Sequence, residues 1–197
     1  DYVDLLLLHR PDTLMEEEDV ARAFDDLEKS GKVRCFGVSN QNAMQLELMN
    51  QFCKGKVAVN QLQFSIAHCD IIDSGINVNI HNDTGANRDG SVLEYCRLKG
   101  IRLQAWSPFQ YGMFEGCFIG NEKFPELNAV LNRLAEKYDA TPNAIAIAWI
   151  LRHPAGIQPI VGTTSAERLR GICKADQIRL TREEWYELYL TAGKQLP

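Results

Sequence analysis

The sequence predicts an α/β protein, a partial (β/α)8 barrel of about five consecutive βα units, and three observations carry that reading. Short β-type apolar runs alternate along the chain with longer stretches of helical periodicity. The first run, "DLLLLH" (4–9), is apolar without alternation, the type that a parallel sheet buries on both faces between helices. No G-x-G-x-x-G follows the first strand, which disfavours the other arrangement that fits, an open doubly wound sheet. Five strands separated by helices imply parallel pairing through right-handed crossovers.

Each element has its own signal. Val20, Phe24 and Leu27 form a helical stripe within roughly 15–30, and Gly31 ends it. "CFGVSN" (35–40) is the second strand, and Met44, Leu48 and Phe52 mark the next helix. "VAVNQLQF" (57–64) is the third strand. Residues 65–91, rich in Asn, Asp and Gly, are too long for a routine connection and are expected to be a loop insert, a functional lid or mobile segment. Helix 91–99 and Gly100 lead into strand "IRLQAWSP" (101–108), a Gly- and aromatic-rich loop (109–124) and a helix at about 126–138. "TPNAIAIAWILRHP" (141–154) has Thr at the N-cap, Pro at N1 and apolar residues all round, as a buried helix does. "IQPIVG" (157–162) is the fifth strand. "TSAE" (164–167) has the form of a capping box, and "TREE" (181–184) repeats it before a C-terminal amphipathic helix.

Composition narrows the function. With 197 residues, 45% hydrophobic and 24% charged, the chain reads as one soluble globular domain over 1–197. A net charge of −5 with dispersed basic residues gives no nucleic-acid footprint, and no apolar run approaches the length of a membrane span. Cys35, Cys53, Cys69, Cys96, Cys117 and Cys173 form no C-x-x-C pair, which suits reduced thiols in a cytoplasmic protein better than a zinc site. His68, Cys69 and His81 match no common zinc spacing. The chain opens at Asp1 and enters a strand almost at once, as a piece of a longer protein would.

Polar residues gather where the strands end. His9 closes the first, Ser39 and Asn40 the second, Gln61 and Gln63 lie in the third, Trp106 and Ser107 close the fourth, and Thr163 and Thr164 follow the fifth. In parallel α/β proteins that edge is where ligands bind. Each residue also has a structural reading. His9 could be hydrogen-bonded for structure, Ser39–Asn40 could cap the next helix, and Gln61 could satisfy backbone groups. Trp106 could be plain core, and Thr164–Arg168 only a capping box with a solvated arginine. Read as a site, hydroxyls at a helix start with Arg168 in its first turn suit an anion such as a phosphate.

"LLLLHRPD", "GKVRCFGVSN", "VNQLQFS", "QAWSPF" and "IVGTTSAERL", in this order and spacing, resemble the aldo-keto reductase superfamily over essentially the whole chain, as its C-terminal two-thirds. The segment "HCDIIDSGINVNIHND" resembles a bacterial oxidoreductase subgroup. The resemblance implies a TIM barrel that carries NADP(H) across its C-terminal face and reduces aldehydes and ketones. It implies that Ser39, Asn40 and Gln61 hold the nicotinamide carboxamide, that Trp106 stacks on the ring, and that Ser107, Pro108 and Phe109 line the pyrophosphate. Thr163, Thr164, Ser165 and Arg168 would hold the 2′-phosphate, with Gly162 beside them where many members have a lysine. His9 answers to the histidine that orients or polarises the substrate carbonyl.

The family's other catalytic groups, an aspartate, a tyrosine and a lysine, lie upstream of the histidine strand. Tyr2 and Asp4 are no substitutes, because at about 3.3 Å per residue they lie roughly 23 and 16 Å from His9, at the wrong end of the strand. A positioned acid contributes about 10²–10⁴-fold, so the chain alone is expected to be inactive or very weak, and the parent protein a reductase. The alternative is a non-catalytic cofactor-binding or regulatory protein of the same fold. Gly171 and Ile172 replace an acidic–amide pair that often contacts adenine, so Arg168 is left to set the preference for NADP. The physiological carbonyl substrate and the oligomeric state are not legible.

Overall fold

The computed structural model of the chain describes residues 1–197. Its elements run β1 (Val3–Leu8), α1 (Glu17–Lys29), β2 (Val33–Ser39), α2 (Ala43–Phe52), β3 (Val57–Gln63), α3 (Asp70–Ile76), α4 (Val92–Lys99), β4 (Arg102–Trp106), α5 (Pro125–Lys137), α6 (Pro142–Arg152), β5 (Gln158–Pro159), α7 (Ala166–Cys173) and α8 (Arg182–Thr191). The strands stand in one sheet in chain order, with β1–β2 and β2–β3 parallel. Side-by-side parallel neighbours joined through helices are βα units, as the apolar pattern predicts. By compactness the chain divides into residues 1–62 with 87–104, and 63–86 with 105–197.

The first unit centres on β2. Phe24 of α1 stacks on Phe36 of β2 with ring centroids 4.1 Å apart. Val33, Val38, Leu46, Met49, Val57, Val59, Leu93 and Cys96 are buried with them. α1 carries Glu17, Glu18 and Asp19 in its first turn and Lys29 in its last, both matched to the helix dipole. Gly31, at φ +69°, reverses the chain, and the Lys32 N–H returns to the Leu27 carbonyl.

One expectation fails in this unit. The leucines of β1 are half-buried, not covered on both faces, and His9 beyond them is exposed. β1 is an edge strand with a neighbour on the β2 side only, so its apolar run exceeds the cover the sheet supplies. Met44 and Leu48, whose spacing marks α2, lie on its exposed side, while Ala43, Leu46 and Met49 are buried. The helix has apolar residues on both stripes, and periodicity alone cannot rank them.

The second unit is built around α6, where Ala144 to Ile150 are all buried. Thr141 caps it by accepting from the Ala144 N–H, with Pro142 in the first turn. Trp149 stacks on Trp185 of α8 at 4.7 Å, and each indole N–H donates to the other's carbonyl at 3.0 Å. The capping box of α8 forms as its sequence predicts, between Thr181 and Glu184. Burial acts against the Glu184 charge, but hydrogen bonds from Lys137, the Thr181 N–H and Tyr138 outweigh it and hold the carboxyl below its ordinary range.

Three further expectations change. The segment 65–91 is no loop throughout: it contains α3, a 3₁₀ turn at Asp83–Gly85 and the buried residues Ile72, Asp73 and Asn77. The fifth strand shrinks to Gln158–Pro159, because Pro159 has no N–H to continue a ladder. The cap of α7 is Ser165, which accepts from the Arg168 N–H, and not Thr164.

Candidate functional site

In the first unit the strand ends lie level. Leu8 is opposite Val38, Val38 opposite Asn60, and Ser39 opposite Gln61, so His9 emerges one residue past the last β1 pair. Side chains that alternate along paired strands share a face when their register positions match. Ser39 is buried, and its hydroxyl donates to the Gln61 carbonyl at 2.9 Å. The Asn40 N–H donates to the same carbonyl at 3.0 Å, and Asn40 Nδ2 donates to Ser39 Oγ at 2.7 Å. Two donors on one carbonyl fix the β3 backbone at Gln61.

The structural readings of these residues give way. The cap of α2 is Asn42, in a capping box with Gln45, so Ser39 and Asn40 are not needed there. Gln61 satisfies no backbone group: its Nε2 donates to Gln104 Oε1 at 2.8 Å. Asn40 holds φ +59°, a left-handed conformation uncommon for a residue other than glycine and typical of constrained sites. Asn60, fully buried, donates to the Gln41 carbonyl at 2.8 Å and pins the turn after β2 to β3. Gln41 Oε1 and Asn60 Oδ1 are buried without a partner.

The second unit carries two more groups of predicted site residues. The Ile160 N–H donates to the Ala105 carbonyl, so Trp106 and the segment after β5 leave adjacent strands. Trp106 is only half-buried, which is not the state of a plain core residue. Ser107 holds φ +51°, Pro108 is buried, and the Gln110 N–H closes a turn on the Ser107 carbonyl. Thr163 Oγ1 accepts from the Ser165 N–H and Ser165 Oγ from the Arg168 N–H. Both hydroxyls therefore keep a proton to donate, which an anion would accept. Gly162, Thr164 and Arg168 are exposed beside them.

One cluster brings together an aspartate, a tyrosine and a lysine. Asp73 of α3 accepts from Tyr189 OH at 2.9 Å and pairs with Lys194 Nζ at 2.7 Å. Tyr189 is fully buried, and burial together with the Asp73 charge raises its hydroxyl far above the ordinary range. A proton held that tightly and out of reach cannot be delivered to a substrate. Burial disfavours the Lys194 charge, yet the carboxylates of Asp73 and Asp70 outweigh burial and raise it.

Comparisons with known proteins give the family. Residues 1–189 match the Aldo/keto reductase family. The chain belongs to that family. It is 36% identical over 198 residues to a 6-dehydroglucose reductase of Agrobacterium fabrum (strain C58 / ATCC 33970), a match covering all of this chain and 59% of that protein. It is 33% identical over 199 residues to the oxidoreductase YdhF of Escherichia coli (strain K12), covering all of this chain and 60% of YdhF. Among solved structures, a thermostable aldo-keto reductase, Tm1743, in complex with the inhibitor epalrestat superposes with a TM-score of 0.73 at 28% identity, over 97% of this chain and 60% of that one. The chain thus spans about three-fifths of the length of the curated relatives it matches. Its fold is part of the aldo-keto reductase barrel, and its family is one of oxidoreductases. No helix is long and apolar enough to cross a membrane.

Sequence reasoning missed Gln41, Asn60 and Gln104. Asn60 had a signal, as a polar residue beside Gln61 in an apolar strand. Gln104 had almost none, since its partner lies 43 residues away.

Proposed function

We propose that this chain carries the cofactor-holding part of a cytoplasmic, NADP(H)-dependent reductase of aldehydes and ketones. The observation that carries the proposal is the hydrogen-bonded series Asn40–Ser39–Gln61, level with His9 at the strand ends. Such a series offers fixed amide and hydroxyl groups to a planar carboxamide. Each unit by itself supports the reading: in the first, Gln61 Oε1 accepts no hydrogen bond, and in the second, the hydroxyls of Thr163 and Ser165 retain donors beside an exposed Arg168.

When bound, the dinucleotide would supply hydride to the carbonyl carbon. Ser39, Asn40 and Gln61 would orient the carboxamide, and Trp106 would cover the ring. Ser107, Pro108 and Phe109 would line the pyrophosphate. Thr163, Thr164, Ser165 and Arg168 would hold the 2′-phosphate, with Gly162 leaving room for it. His9 would donate to the carbonyl oxygen, drawing its electrons and fixing its angle. Tyr189 is buried too deeply to be the acid that completes the alcohol, and the chain assayed alone is expected to turn over far below ordinary enzyme rates.

Arg168→Ala tests the phosphate assignment. A charge-assisted contact is worth roughly 1.5–3 kcal/mol, so NADPH is expected to bind about 10–100-fold more weakly while NADH changes less than about twofold. Equal losses for the two, measured by fluorescence titration, would refute it.

A further inference from the structure

Gln104 lies two residues before Trp106 on β4, so the two side chains leave the same face of that strand. It is buried, at 7% exposure, and its Oε1 receives the Gln61 Nε2 donor at 2.8 Å. The Gln61 main chain is itself held, because its carbonyl accepts from both Ser39 Oγ and the Asn40 N–H. What stays undetermined by the backbone is the last torsion of the side chain, which turns an amide over without changing its shape. One end of an amide only donates and the other only accepts. With Nε2 committed to Gln104, the oxygen is the end left for a ligand.

We propose that Gln104 is a positioning residue that fixes the Gln61 amide with its oxygen forward, so that the site reads the N–H of the nicotinamide carboxamide. This inference rests on the reading that Gln61 meets that carboxamide. Without the Gln104 acceptor, both orientations of Gln61 have similar energies, and the site no longer distinguishes a carboxamide from a group of the same shape that lacks the N–H.

The test uses reduced 3-acetylpyridine adenine dinucleotide phosphate, in which a methyl group stands where NADPH has its amide nitrogen. Both compounds are titrated into the unmodified chain and into Gln104→Met, which preserves length and removes the acceptor. A single hydrogen bond net of solvation corresponds to about tenfold, so the unmodified chain is expected to prefer NADPH by about that factor. In Gln104→Met the preference should fall to within about twofold, through a loss for NADPH and none for the analogue. A merely structural role would weaken both equally and leave their ratio intact. Gln104→Glu, which still accepts from Gln61, is expected to restore the preference. If Gln104→Met fails to fold, Gln61→Glu is the second variant: it can only accept, and must keep the preference for NADPH.

A ratio that Gln104→Met leaves unchanged, or a preference lost in Gln61→Glu, overturns this inference alone. Failure of the unmodified chain to bind either compound overturns the cofactor reading and this inference with it.

Discussion

Asp73→Ala is expected to destabilise the second unit by about 3–5 kcal/mol, the cost of removing one partner from a buried charge pair. Asp73 is 3% exposed, and its carboxylate gathers Lys194 Nζ at 2.7 Å, Tyr189 OH at 2.9 Å and Cys69 Sγ at 3.3 Å. Removing it leaves a mostly buried ammonium and a fully buried phenol without their principal acceptor. Asp70, 3.4 Å from Lys194, retains a part of the attraction. The same substitution should free the C-terminal tail, because Lys194 Nζ, at 2.7 Å, is what ties that tail to the Asp73 carboxylate. Denaturant titration would give the stability change, and hydrogen exchange should rise in 190–195. A loss below about 1 kcal/mol would show that the cluster is decorative.

Gly37→Ala should cost about 3 kcal/mol, at the upper end of what overpacking a core does. An added Cβ would meet Leu7 Cδ2 at 2.5 Å, Val59 O at 2.7 Å and Val59 Cβ at 2.8 Å. Leu7 can turn aside, but the Val59 carbonyl belongs to the neighbouring backbone and cannot. The position is singular because the β2–β3 register changes there: Phe36 is opposite Val57, and Gly37 opposite Val59. Forcing β3 away two residues before Ser39 should also displace the Ser39–Gln61 bond and so weaken NADPH. A fall in Tm of about 6–12 °C is expected, and an unchanged Tm would contradict the packing argument.

The polar residues at the strand ends were more legible in the sequence than the packing around them. His9, Ser39, Asn40 and Gln61 stand out because a polar residue ending an apolar strand calls for a partner. Their alignment follows from parallel register, which puts successive strand ends at one level. The burial of Leu5–Leu8 was not legible, because it depends on neighbours and β1 has one only. The buried face of α2 was hidden by a second apolar stripe. The order within 65–91 was hidden more deeply: Asp73 reads as a loop residue until Lys194, 121 positions later, is set against it. Gln104 is the same case within a strand, a buried amide explained only by a distant partner.

Fluorescence titration of the unmodified chain with NADPH and with NADH is the most direct trial of the account. Saturable binding of NADPH, with NADH at least about tenfold weaker, is the result it predicts, since one charge-assisted contact separates the two. Absence of binding, or equal affinity for both dinucleotides, would contradict it.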